Sequence, residues 1–139
     1  MNEKFSVLIS NYNNGKFILD SINSVKRQSY PNWELVIIDD CSTDNSIDIY
    51  KSLEGDDRIR IFFNEHNMGQ GSTKHQVVMR AEGEICGFLD PDDALAEDAV
   101  QIMVDEHHKH PDASLINSTR YDTDEHLNVV SVSSYGCHI

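Results

Sequence analysis

Three carboxylates stand within four residues at Asp90-Pro91-Asp92-Asp93, directly after the apolar run Ile85-Cys86-Gly87-Phe88-Leu89. Such a run reads as a buried strand, and Pro91 turns the chain, so the carboxylates fall at the strand's C-terminal lip. Open α/β sheets bind their ligands at that lip. Carboxylates this crowded repel one another unless a cation lies between them, and an all-oxygen donor set suits a hard ion such as Mg²⁺ or Mn²⁺. The plainer reading is an acidic turn that caps the next helix, because helix N-termini favour Asp.

Two other polar sets also follow apolar runs. Ser10, Asn11, Tyr12 and Asn13 come after Phe5 to Ile9, and Asp39 and Asp40 come after Glu34-Leu35-Val36-Ile37-Ile38. Asn and Asp in isolation are ordinary turn residues. Three sets at equivalent strand ends, however, face one crevice. A nucleotide suits it: a carboxylate after the second strand accepts the imide N–H of a uracil-like base, and Tyr12 packs on that base. The Asp cluster then holds a divalent metal on the diphosphate and contacts the ribose hydroxyls, and the metal offsets charge on a departing nucleoside diphosphate.

Gly69-Gln70-Gly71-Ser72-Thr73-Lys74 is a glycine-rich loop opening a helix, but it lacks the P-loop spacing. Lys74 is open to two readings, a positive charge near phosphates or a solvated helix lysine. His107, His108 and His110 cluster with Lys109 near a helix end, where cations complement the helix dipole; that reading is preferred to a metal site because His107 and His110 show no acidic or Cys partner at ligand spacing.

The elements that must position these residues alternate regularly. Strands are expected at Phe5 to Ser10, Glu34 to Ile38, Arg58 to Phe63, the run before Asp90, and Ala113 to Ser118. Helices are expected at about Lys16 to Gln28, from Ser42-Thr43-Asp44 through Leu53, at about Ser72 to Ala81 and at about Glu97 to Lys109; Leu127 to Ser134 alternates like a strand. Strand–helix alternation at this spacing predicts an α/β fold with a mostly parallel sheet and right-handed crossovers.

With 24 Asp and Glu against 11 Lys and Arg, the 139-residue chain has a formal charge of −13. That surface repels nucleic-acid backbones and anionic membranes, so no nucleic-acid partner is expected. No apolar run reaches membrane-spanning length and no leader precedes the first strand. The three cysteines (Cys41, Cys86, Cys137) show no CxxC spacing, which fits a reducing cytosol; Cys86 reads as a small core residue. A cytoplasmic location is expected, within a parent protein that can be membrane-associated.

Four ordered blocks carry a resemblance. They are Ser6-Val7-Leu8-Ile9-Ser10-Asn11-Tyr12-Asn13, then Tyr30-Pro31-Asn32-Trp33-Glu34 through Asp39-Asp40-Cys41-Ser42-Thr43-Asp44, then Asn67-Met68-Gly69 with Lys74, and Ala81-Glu82-Gly83-Glu84 leading to Phe88-Leu89-Asp90-Pro91-Asp92-Asp93. Together they resemble the family 2 glycosyltransferases, which have the Rossmann-like GT-A fold. The resemblance implies an enzyme that transfers a sugar from a nucleotide-diphosphate donor, here a UDP-sugar, to an acceptor with inversion. It implies that Asp40 binds the base beside Ser10, Asn11 and Tyr12. Asp90-Pro91-Asp92 resembles the DxD motif, with Asp92 on the metal (Mg²⁺ or Mn²⁺) and Asp93 or Asp90 assisting through metal or ribose. Lys74 stands where the family commonly has Arg, near phosphate or sugar.

In that family the catalytic base and acceptor site lie beyond the DxD. Only 46 residues follow Asp93 here. The expectation is therefore that residues 1–139 are the nucleotide-sugar-binding part, cut off after the DxD half. The base is expected beyond residue 139, and the fragment alone is expected to be inactive. The acceptor is open among glycan, lipid and protein. Alternatives are a metal-dependent nucleotidyltransferase, which would show a basic glycine-rich loop after the first strand, and a non-catalytic nucleotide-binding α/β module.

Overall fold

The runs of β-branched residues make four parallel strands, β1 (Phe5–Asn11), β2 (Trp33–Asp39), β3 (Ile59–Phe63) and β4 (Ile85–Phe88), in the order β3-β2-β1-β4. The computed structural model describes residues 2–112 and 120–133, and the chain separates into two units, Met1–Val104 and Asp105–Ile139. The α/β, mostly parallel expectation holds in the first unit.

Four helices connect the strands or follow them: α1 (Ile18–Lys26), α2 (Ser46–Lys51), α3 (Gln70–Arg80) and α4 (Ala99–Lys109). Alternation along the strands sorts the core into two layers. Phe5, Val7, Ile9, Leu35 and Ile37 meet Ile18, Ile22 and Val25 of α1, Tyr50 and Leu53, and Val100 and Val104 of α4. On the opposite face Leu8, Val36 and Ile38 meet Val77 of α3. β2 is buried on both faces along its whole length, as its continuous apolarity requires. Each fully buried Leu, Ile or Val there contributes about 1.5–3 kcal/mol by removal from water.

The strand order decides where a ligand goes. From β1 the chain builds outward to β2 and β3, then returns through α3 on the other face to place β4 on the free side of β1. The direction of winding thus reverses between β1 and β4, the position at which doubly wound sheets open a crevice beyond their C-terminal ends.

Several boundaries differ from the sequence reading for local reasons. α2 begins at Ser46, later than expected, because the Asp44 carboxylate accepts the Ser46 N–H (3.0 Å) and hydroxyl (2.6 Å) in a turn. α3 begins at Gln70, earlier than expected, because Gly69 at φ 87° supplies the sharp entry. β4 is not fully buried: Cys86 and Phe88, in register with Ser6 and Leu8 of β1, are both exposed, because α3 packs over β1 and β2 on that face. Cys86 is accordingly exposed and not a core residue.

In the second unit, β5 (Arg120–Thr123) and β6 (Val129–Ser133) form an antiparallel hairpin, the latter within the alternating stretch expected from Leu127. The Asp124 carboxylate shapes its loop, accepting the backbone N–H groups of His126 (2.9 Å) and Asn128 (3.0 Å). The strand expected at 113–118 lies outside the described residues.

Candidate functional site

β1 and β2 run in register from Phe5 beside Trp33 to Asn11 beside Asp39, so their polar ends finish together. Leu89 N–H bonds the Leu8 carbonyl at 2.9 Å, which keeps the chain after β4 alongside β1 up to the acidic turn. Between these ends, within the first unit, lies a cavity of about 430 Å³. Its wall takes Ser10 and Asn11 from the end of β1, Tyr12 and Asn14 from the loop after it, Asp40 from just past β2, Asn67 and Gly69 from the turn before α3, Gln70 and Thr73 from its first turn, and Asp90, Pro91 and Asp92. The structure therefore brings Ser10, Asn11, Tyr12, Asp40, Asp90 and Asp92 to one space. Asp93 and Lys74 adjoin it through the acidic turn and α3.

The wall stands on a buried polar base. Asn11 is fully buried, and its Nδ2 lies within bonding distance of Tyr50 Oη (2.6 Å), Ser46 Oγ (3.0 Å) and Asp39 Oδ1 (3.3 Å). Tyr50 Oη donates to Asp39 Oδ1 at 2.7 Å, and Asp39 Oδ2 accepts the Ser42 N–H at 2.8 Å. Burial, and the carboxylate beside it, push the Tyr50 phenol far above its ordinary value, so it remains a donor. The Asn11 side chain thus faces inward, and Tyr12, about half exposed, is the aromatic of this loop that faces the cavity.

The β1 loop is tied to the loop after β2. Asn13, in the left-handed region at φ 56°, accepts the Thr43 N–H at 2.8 Å through its side chain. Gly15 N–H donates to the Asp44 carboxylate at 2.8 Å, and a Cβ at Gly15 would fall 1.9 Å from Asn45 Oδ1, so any larger residue would displace the Asn45 side chain.

Asp40 is buried, and its carboxylate organises the far wall. Oδ1 accepts Asn64 Nδ2 (3.0 Å) and the Met68 N–H (2.8 Å), and Oδ2 accepts the Gly69 N–H (3.0 Å). Burial alone would raise this carboxyl, but those donors together with the Thr73 hydroxyl outweigh it and hold it below the ordinary Asp value. A charged carboxylate at this end of α3 also complements the helix dipole.

Asp90 to Asp93 form a turn closed by Asp93 N–H to the Asp90 carbonyl at 3.0 Å, with Pro91 at the second position that its fixed φ suits. The three carboxylates are exposed, and one oxygen from each lies within 4.8 Å of the others. Three convergent carboxylate oxygens are a donor set that fits a hard divalent cation. Lys74 Nζ is 4.0 Å from Asp90 Oδ1 and 5.9 Å from the Phe88 ring centroid, so its charge sits beside the cluster.

Sequence reasoning missed Asn64, the Met68 and Gly69 amides, and Tyr50, whose hydroxyl hides within an apolar stripe. The Asn67-Met68-Gly69 turn signal was the one available pointer to the amides. It also missed a row of polar residues on and just after α1: Ser21, Ser24 and Gln28 are buried and bond the backbone of residues 91–100.

Known proteins share this fold. Glycosyltransferase GlyG of Streptococcus pneumoniae is 30% identical over 126 residues, which are 90% of this chain and 42% of that protein. The crystal structure of S. aureus TarS 1-349 in complex with UDP-GlcNAc superposes with a TM-score of 0.73 at 31% identity, over 78% of this chain and 32% of that one. A mannosyltransferase from Pyrobaculum calidifontis, in complex with GDP-Man and Mn²⁺, shares the fold at a TM-score of 0.61 and 21% identity, over 68% of this chain and 29% of that one. The chain thus spans less than half the length of each of these relatives. The sequence profile described as glycosyl transferase family 2 matches residues 6–134, nearly the whole chain, and the protein belongs to that family.

Proposed function

We propose that this chain is the donor-binding and metal-binding part of an inverting glycosyltransferase that uses a UDP-sugar. One observation carries the reading: the ends of β1, β2 and β4 open on a single cavity of about 430 Å³ whose wall holds Tyr12, Asp40, Asp90 and Asp92. Tyr12 offers a half-exposed ring for stacking a base, and Asp40 a charged carboxylate for its imide N–H. Asp92 and Asp93, with Asp90 assisting, would hold Mg²⁺ or Mn²⁺; when bound, such an ion supplies charge neutralisation for the leaving diphosphate. Lys74 places a second positive charge on the same side. Ser10 and the first turn of α3 bound the space the ribose and phosphates would fill.

The relatives support the donor class. TarS carries the name poly(ribitol-phosphate) beta-N-acetylglucosaminyltransferase and has been crystallised with UDP and with UDP-GlcNAc. Family membership favours glycosyl transfer over the nucleotidyltransferase alternative. The catalytic base and the acceptor, whether glycan, lipid or protein, belong in this reading to the part of the relatives that the chain does not match. None of the helices among the described residues is long and apolar enough to cross a membrane.

Calorimetric titration with UDP, GDP and CDP tests the reading. Selective binding of UDP that weakens at least tenfold in Asp40→Ala supports it. Equal binding of all three nucleotides, insensitive to Asp40→Ala, overturns it.

A further inference from the structure

Ser21 and Ser24 of α1, with Gln28 just past its C-terminal end, stand at i, i+3 and i+7 along one side, and all three are buried. A stripe of polar side chains in a core needs partners. Each finds them in one segment, the chain from the acidic turn to the start of α4. The Ser21 hydroxyl lies 2.8 Å from the Pro91 carbonyl, also within reach of the Asp93 carbonyl, and 3.5 Å from that of Asp90. Ser24 Oγ accepts the Leu95 N–H at 3.0 Å. Gln28 Nε2 donates to the Ala96 carbonyl at 2.7 Å, and its Oε1 accepts the Val100 N–H at 3.0 Å.

The consequence for the turn is directional. Three carbonyls, those of Asp90, Pro91 and Asp93, converge on one buried hydroxyl, while the side chains of Asp90, Asp92 and Asp93 reach the surface together. A hydroxyl carries one proton, so Ser21 donates to one of these carbonyls at a time. Its presence nonetheless gives the inner side of the turn its polar partner. Hard-cation sites depend on such outer contacts, because the ligand oxygens must be held apart at the ion's spacing before it arrives.

We propose that Ser21 is a positioning residue for the divalent metal, acting through the backbone of the Asp90–Asp93 turn, with Ser24 and Gln28 fixing the chain that follows. The inference rests on the donor-site reading above. It touches neither nucleotide nor metal directly, so its loss separates two affinities that a general loosening of the fold would lower together.

The test titrates Mn²⁺ into the chain with UDP present and follows bound Mn²⁺ by electron paramagnetic resonance, alongside UDP binding without metal. Ser21→Ala is expected to weaken Mn²⁺ by about 10- to 100-fold while changing metal-free UDP affinity by less than about twofold. Ser21→Cys, of similar size and with a weak donor, is expected to fall between, and it carries the comparison should Ser21→Ala not fold. Ser6→Ala, which removes another fully buried hydroxyl, from the Glu34 carboxylate (2.6 Å) at the opposite end of β1, is expected to lower stability but leave Mn²⁺ affinity unchanged. Equal Mn²⁺ affinity in wild type and Ser21→Ala overturns the inference, as does a parallel loss of Mn²⁺ and metal-free UDP binding. UDP binding that ignores Mn²⁺ in the unaltered chain overturns the donor-site reading itself and this inference with it.

Discussion

Asp39 and Asp40 are consecutive and both buried, yet their carboxylates serve opposite sides of β2. Asp39 accepts from Tyr50 and Ser42 behind the sheet end, whereas Asp40 accepts from Asn64, Met68 and Gly69 on the cavity wall. Strand alternation makes this division unavoidable. One carboxylate therefore fixes the scaffold under the β1 loop, and its neighbour fixes the entrance to α3.

Asp40 is nearly saturated, since a carboxylate accepts about four hydrogen bonds and three donors already hold it. A base N–H must share it. UDP is therefore expected to shift the Met68 and Gly69 amide resonances before those of distant loops, and Asp40→Asn to weaken UDP by about tenfold, one hydrogen bond's worth at 1.4 kcal/mol. Heteronuclear NMR with a UDP titration checks both.

Tyr50→Phe removes the hydroxyl that bridges Asn11 and Asp39 and leaves both short of a partner. A loss of about 1–3 kcal/mol is expected from such a buried polar deletion. Urea denaturation reads it directly.

At the other end of the sheet, the buried Glu34 carboxylate accepts the Ser6 hydroxyl (2.6 Å), the Glu82 N–H (2.6 Å) and Arg60 (2.8 Å). Burial raises its pKa, but these donors prevail and hold it below the ordinary Glu value. A depressed folded pKa contributes stability that is present above the unfolded value near 4.3 and lost as pH falls through the folded one. Glu34→Gln should therefore be destabilised most above about pH 5, with the gap to wild type narrowing below about pH 4. Denaturant midpoints across that range test the sign.

Two glycines should respond oppositely to Ala. A Cβ at Gly83 meets the Lys4 carbonyl oxygen at 2.5 Å, a backbone atom that cannot step aside, whereas one at Gly71 in α3 meets nothing within 4 Å. Gly83→Ala is expected to cost about 1–3 kcal/mol, and Gly71→Ala to stabilise by about 0.5 kcal/mol through helix propensity. Thermal melts of the two variants decide it.

The sheet was legible because Val7 to Ile9 and Leu35 to Ile38 are continuous apolar runs, which parallel strands require. β4 misled because a run such as Ile85 to Leu89 looks the same whether or not a helix reaches over it; Cys86 and Phe88 are exposed because α3 packs over β1 and β2 instead. Tyr12, Asp40 and Asp92 were legible as polar residues ending such runs. Ser21, Ser24 and Gln28 were not, because a polar stripe on a helix reads as solvated until the segment that covers it is known. β5 was invisible for a similar reason: Arg-Tyr-Asp-Thr carries no apolar alternation.

The central claim, that the Asp40 cavity and the Asp90–Asp93 turn hold one ligand through a metal, is tested most directly by calorimetric titration of UDP with and without Mn²⁺ in wild type and Asp92→Ala. The account predicts that Mn²⁺ tightens UDP binding in the wild type and that Asp92→Ala abolishes this gain while retaining the metal-free affinity. An Asp92→Ala chain whose UDP binding still strengthens with Mn²⁺ as in the wild type would contradict it.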